Sequence, residues 1–73
     1  MPASLNIFVV LERKNYLWLG RKHTIHEALS LISVVGFKKP GLFFIHSQST
    51  GDKFFYRAEP EIGVVQVEPP SDY

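Results

Sequence analysis

Histidine and serine side chains are the groups in this sequence that could do catalytic chemistry. His23 and His26 are three residues apart, and imidazoles at that spacing on a helix could share a metal ion. A catalytic metal site needs three protein ligands in a definite geometry, and no second cluster of ligands is evident in the sequence. The serines lack a neighbouring base, and the five glycines are too dispersed for a phosphate-binding loop. The sequence therefore predicts no enzymatic activity, no metal site and no cofactor.

A second pattern, the segment KFFYR, could bind single-stranded RNA. It sets three aromatic residues between the cations Lys53 and Arg57, so the rings could stack on bases while the cations neutralise phosphates. The segment lacks the small residues and the length of the RNP1 consensus. Alternatively, Phe54 and Tyr56 share one face of a strand and Phe55 the other, with the two cations as solvated strand ends. RNA binding is thus a possible function but not the favoured one. Further cations that could extend the patch are Arg21, Lys22, Lys38 and Lys39.

Length and composition indicate one small domain without covalent cross-links. The 73 residues include no cysteine, which excludes disulfides and thiolate metal sites. Eight Lys and Arg against seven Asp and Glu give a net charge of +1, which argues against a dedicated polyanion binder. A chain this short buries only about 60% of its unfolded surface, so a monomer would be marginally stable. Because no signal peptide or run of about 18 apolar residues is present, we expect a cytoplasmic protein that does not enter a membrane.

One helix can be read from the sequence with both ends marked. Thr24 and Glu27 fit a capping box, in which the Thr hydroxyl accepts from the Glu27 N–H and the carboxylate returns to the Thr24 N–H. Gly36 supplies the predicted stop. Apolar residues between them recur every three or four positions and predict a stripe that packs on a sheet. The stripe comprises Ile25, Ala28, Leu29, Ile32 and Val35, widened by Leu31 and Val34.

The other segments read as strands, because they are rich in β-branched and aromatic residues and are separated by turn residues. They are Leu5–Leu11, Tyr16–Leu19, Leu42–His46, Lys53–Arg57 and Val64–Glu68. The order ββαβββ predicts a single α+β domain over residues 1–68, with one helix packed on a mainly antiparallel sheet. Residues 69–73 are predicted to form a disordered tail.

The face of the sheet away from the helix poses the main question, since several strands are apolar on both sides. Sheet twist and residues such as Trp18 and Phe37 could cover this face. Alternatively, it is a self-association surface, which ten aromatic residues in so short a chain favour. We therefore predict a homodimer or another protein partner. The predicted interface consists of the anchors Phe43, Phe44, Phe54, Phe55 and Tyr56, with Arg57 at the rim.

The stretch from Thr24 to Gly51 resembles the C-terminal dimerisation domain of long ribosome hibernation-promoting factors. In that family a capped helix ending in two apolar residues and Gly leads to an aromatic strand and a Thr-Gly hairpin. The resemblance implies a homodimerising module associated with the ribosome. The helix residues that carry it are Thr24, Ile25, Glu27, Ala28, Val34, Val35 and Gly36, and later matches are Leu42 to Ser47, Thr50-Gly51, Tyr56-Arg57, Gly63 to Val65 and Glu68-Pro69.

The first half of the chain is also similar to ubiquitin-like β-grasp domains. Asn6 to Val9, a turn, a second strand and then Thr24-Ile25 opening a helix carry this second resemblance. The sequence ends in Pro69 to Tyr73 and has no terminal Gly-Gly. The resemblance therefore implies a binding module of that shape that is not conjugated to other proteins.

Overall fold

The computed structural model describes residues 4–12 and 15–70, and within these ranges it contains one helix and five strands. In chain order the elements are β1 (Leu5–Val10), β2 (Tyr16–Lys22), α1 (Ile25–Lys38), β3 (Gly41–Ser47), β4 (Lys53–Glu59) and β5 (Gly63–Val67). This order confirms the predicted ββαβββ arrangement and the α+β class.

The strands form one antiparallel sheet in the order β2-β1-β3-β4-β5. Three of the four pairings are between consecutive strands, whereas β1 and β3 pair across α1, with Ile7 opposite Ile45. That long-range pairing joins the first hairpin to the remaining three strands. It leaves β2 and β5 as the two edges of the sheet.

The start of α1 follows the prediction in one of its two parts. The Glu27 N–H donates to the Thr24 hydroxyl at 3.2 Å, as a capping residue requires. The carboxylate of Glu27 accepts from that same hydroxyl at 3.1 Å, rather than from the Thr24 backbone N–H. The Thr24 hydroxyl therefore caps the helix as predicted, but the prediction of a reciprocal hydrogen bond from the Thr24 backbone N–H to the Glu27 carboxylate is wrong.

The predicted stop at Gly36 is also wrong, because α1 continues to Lys38. Gly36 is buried against β4, where an added Cβ would overlap the Cβ of Ala58. Its lack of a side chain therefore allows the helix to approach the sheet closely. The helix ends just before Pro40, which disfavours helical geometry at the preceding residue, and Lys39 is accordingly non-helical.

The core lies between α1 and the face of the sheet that α1 covers, here called the helix face. Ala28 and Ile32 are fully buried in it, whereas Ile25 and Val34 of the predicted stripe are exposed. The buried stripe is therefore narrower than predicted, which suits a single short helix lying on a twisted sheet. The buried members of the core are Leu5, Ile7, Ala28, Ile32, Phe43, Ile45, Tyr56 and Ala58.

Two predicted segments lie partly outside the described residues. The turn between β1 and β2 includes residues 13–14, and the predicted tail includes residues 71–73, which are not described. Pro69 and Pro70 follow β5 without regular structure. In the turn after β3, Gly51 has a φ of +78°, and its N–H donates to the Ser47 carbonyl at 2.7 Å.

Candidate interaction surface on the open sheet face

The face of the sheet opposite α1, here called the open face, carries an aromatic cluster. Side chains alternate between the two faces along each strand, so residues adjacent to core positions point to the open face. No described helix or strand lies on it. Its aromatic residues are Phe8, Tyr16, Trp18, Phe44 and Phe55.

Phe44 is the centre of this cluster. Its ring stacks on Phe8 at a centroid distance of 4.8 Å, and Tyr16 meets it edge-on at 5.4 Å. Phe55 from the neighbouring strand lies at 5.3 Å, and the Lys53 ammonium lies 5.8 Å from the ring centroid, within cation–π range. Such contacts add about 0.5–1.5 kcal/mol per ring pair to the burial of the rings. The centre of the open face is therefore a second packed cluster.

The β2 edge is less well covered than this centre. Phe44 and Phe55 are each only 2% exposed, whereas Tyr16, Leu17 and Trp18 are 53%, 55% and 57% exposed. The Trp18 indole N–H donates to the Asn6 side-chain oxygen at 3.3 Å, which fixes the ring on the sheet while leaving more than half of it accessible. Three consecutive large apolar residues are thus accessible on a strand that pairs on one side only.

The predicted interface residues fall into two groups. Phe43 and Tyr56 lie in the core under α1, where burial raises the pKa of the Tyr56 hydroxyl. Phe54 lies opposite Ile45 and therefore on the helix face, where it is partly exposed. The open face receives Phe44, Phe55 and Arg57.

Tyr16 is not among the interface residues predicted from the sequence, and Trp18 is predicted only as a possible cover for the open face. Both lie on strand β2, and Phe37, the other proposed cover, lies in the last turn of α1, where it is exposed. A signal was present in the sequence, since Tyr16, Leu17 and Trp18 are apolar on both faces of a strand. A strand that is apolar on both sides is typical of sheets in which both faces are buried.

The cations considered for RNA binding do not form one patch. Arg21, Lys53 and Arg57 lie on the open face. Lys22 lies on the helix face of β2, and the remaining two, Lys38 and Lys39, lie at the carboxyl end of α1. Phe55 is the aromatic residue of KFFYR on the open face, and it is buried, so this strand offers no accessible ring on the open face, where its cations lie, on which a base could stack.

The histidines show no shared site. His23 and His26 are exposed near the start of α1, and the described residues contain no group of three His, Cys, Asp or Glu side chains that could hold a metal ion. Across residues 4–12 and 15–70, no helix has both the length and the apolar character needed to cross a membrane.

In the part of the chain that the structure describes, the defining features are a small antiparallel sheet with one face covered by α1, an aromatic open face and two edges without a neighbouring strand. No protein-family model matches the chain, and comparison with curated proteins and with solved structures yields no match either.

Proposed function

We propose that this chain is a small non-enzymatic interaction module that forms a homodimer through strand β2 and the adjoining part of the open face. The observation that carries the proposal is the exposure of Tyr16, Leu17 and Trp18 on an edge strand. From Tyr16 to Gly20 the edge has no charge and no proline, two of the devices that usually prevent strand edges from pairing. A third device, a β-bulge, occurs at Leu19, where the register with β1 shifts, so the regular part of the edge is Tyr16 to Trp18. An exposed apolar edge of this kind is a strong template for another strand.

The hydrogen bonding of the first hairpin fixes which β2 residues can pair outward. The Leu11 N–H donates to the Asn15 carbonyl at 2.9 Å, so these two residues form a bonded pair across the hairpin. Bonded and non-bonded pairs alternate along an antiparallel ladder. Leu17, opposite Val9, is therefore bonded toward β1, whereas the backbone groups of Tyr16 and Trp18 point away from the sheet.

These directions favour one dimer register. A two-fold axis through Leu17 places Tyr16 of each copy opposite Trp18 of the other copy. The outward N–H and C=O groups of these residues then form the hydrogen bonds between the two strands. Directly opposite residues share a face of the sheet, so the aromatic side chains meet on the open face. Leu17 meets its own copy on the other face. The two sheets would join into one of ten strands.

Three other functions stay predictions with less support. Single-stranded RNA binding retains the open-face cation Arg21 on the same strand as the exposed Trp18. The other two open-face cations, Lys53 and Arg57, lie on β4, with β1 and β3 between them and Trp18, and Lys53 already lies against the Phe44 ring. Ribosome association and a β-grasp binding role depend on the two resemblances in the sequence. The exposed aromatic edge favours a protein partner, because desolvated Trp and Tyr residues dominate such interfaces.

The proposal is tested by the molar mass of the purified chain in solution. At about 100 µM, where even a micromolar dimer is mostly associated, light scattering should give twice 8.3 kDa. Leu17→Lys should lower the mass to that of the monomer, since it places two ammonium groups opposite each other at the axis. Phe37→Lys is the matched control, because Phe37 is exposed on α1 and away from β2, and it should leave the dimer intact.

Circular dichroism of both variants must show the wild-type fold for the comparison to count. A monomeric wild type at this concentration, or equal loss of mass in both variants, contradicts the proposal. Titration with a single-stranded oligonucleotide at about 50 mM salt tests the alternative function, RNA binding, because phosphate contacts are strongest at low salt. Binding that survives Leu17→Lys but is lost in Arg57→Glu would support the RNA function instead.

A further inference from the structure

The second edge of the sheet, strand β5, is also open to pairing. Among the described residues it pairs with β4 alone, so one side of its backbone has no strand beside it. Between Gly63 and Val67 it contains neither a charged residue nor a proline. Its outward amide and carbonyl groups are therefore able to hydrogen-bond to an added strand.

An apolar groove of about 150 Å³ lies beside this edge on the open face. Ile62 and Val65 line it and are 65% and 43% exposed, which is high for large aliphatic residues in so small a domain. Gly63 also lines the groove, and a Cβ built there would meet no atom within 4 Å. Because a cavity of about 150 Å³ accommodates a benzene ring, the groove has room for one Leu, Ile or Phe side chain.

Arg57 borders the groove without an anionic partner among the described residues. Arg57 is exposed, lies opposite Val65 in the β4–β5 register and has no carboxylate of the described residues within ion-pair distance. Glu59, which also lines the groove, belongs to the next row of side chains, opposite Gly63. The groove is therefore bordered by a positive charge at Arg57 and a negative charge at Glu59, two residues further along β4 on the same face.

We propose that the β5 edge binds an extended peptide segment of another protein as an added strand. One apolar side chain of the peptide occupies the groove next to Gly63, which contributes no side chain of its own. Side chains on one face of a strand recur every two residues, so the next peptide side chain on this face lies in the row of Val65 and Arg57. A carboxylate at that position pairs with Arg57. The expected ligand has an acidic residue two positions from an apolar anchor.

This inference concerns the opposite edge from the proposed dimer and does not depend on it. Strand β2 lies at the far side of the sheet, and three strands separate it from β5. A variant that disrupts one edge should therefore leave binding at the other edge unchanged.

Two synthetic heptapeptides test the inference. The first is acetyl-Thr-Glu-Thr-Leu-Thr-Glu-Thr-amide, which presents Glu two residues from Leu in either strand direction, and the second has Lys in place of both Glu residues. Titration into the full chain, followed by backbone amide shifts, should perturb Gly63–Val67 with the acidic peptide. The acidic peptide should bind roughly tenfold more tightly than the basic one, as expected for an exposed ion pair exchanged for a repulsion.

Arg57→Glu should reverse this preference, whereas Lys53→Glu should not change it. Lys53 is the matched control because it is a cation on the same strand and face but does not line the groove. Repeating the titration with Leu17→Lys separates this site from the β2 edge. The inference is overturned if neither peptide shifts the β5 amides at millimolar concentration, if the shifts lie on β2, or if Arg57→Glu leaves the preference unchanged.

Discussion

The two faces of the sheet are both apolar, but they achieve burial by different means. On the helix face, mainly aliphatic side chains such as Ile7 and Ile32 are covered by α1, which approaches β4 closely at Gly36. On the open face, rings pack on rings around Phe44, and exposure rises sharply toward the β2 edge at Trp18. The core under α1 is therefore buried within one chain, whereas the open face is packed at its centre and accessible at its β2 edge.

This difference separates folding from recognition. Side chains of the core under α1 should matter for the free energy of unfolding, because their burial is already complete in the monomer. Accessible residues on β2 should matter for association, because their burial requires a second molecule. Substitutions in the core and at the β2 edge should thus each affect one measurement and leave the other nearly unchanged.

The largest expected effect is on the helix face. Ile32→Ala should lower the free energy of unfolding by about 2–5 kcal/mol, since it leaves a cavity in a fully buried site. Val34→Ala, two residues further along the same helix and exposed, should cost less than about 0.5 kcal/mol. Urea denaturation of both variants provides the measurement. Similar small losses in the two would mean that α1 does not pack on the sheet as described.

A smaller loss is expected where helix and sheet approach most closely. Gly36→Ala should destabilise the fold by about 1–3 kcal/mol, because the new methyl group overlaps Ala58. Helix propensity alone would give the opposite sign, a gain of about 1 kcal/mol.

Gly41→Ala is the matched control for this close approach, since a Cβ at Gly41 meets no atom within 4 Å and its φ is not positive. Thermal melts should show a lower midpoint for Gly36→Ala and little change for Gly41→Ala. A stabilised Gly36→Ala variant would contradict the close approach.

Local patterns predicted the elements well because the signals for them are local. The hydroxyl of Thr24 caps the helix as its position before an apolar-periodic segment predicts. The prediction that Gly36 ends the helix is wrong because a glycine near a helix end can allow either a turn of the backbone or a close contact with a distant strand. Only the packing against Ala58 distinguishes these, and that contact joins residues far apart in the sequence.

The candidate surface was only partly predictable for the same reason. Alternation along a strand places Phe43 and Phe44 on opposite faces, but the sequence does not say which face α1 covers. The exposure of Trp18 follows from the position of β2 at an edge, and strand order depends on the long-range pairing of β1 with β3. The aromatic content of the sequence predicts an exposed apolar surface, but its position at β2 depends on the order of the strands in the sheet.

The most direct test of the central claim is a cross-link at the proposed two-fold axis. The chain has no cysteine, so Leu17→Cys introduces a single thiol. A two-fold axis through this residue makes it a non-bonded antiparallel pair, with Cα atoms about 4.5 Å apart, which is within the range for a disulfide. Trp18→Cys serves as the register control and Ser33→Cys, exposed on α1, as the surface control.

Under mild oxidation, the account predicts that Leu17→Cys forms a covalent dimer of twice 8.3 kDa on non-reducing gels and by mass spectrometry. Trp18→Cys and Ser33→Cys should remain mostly monomeric under the same conditions. Cross-linking of Leu17→Cys no faster than that of Ser33→Cys would contradict pairing of two β2 edges.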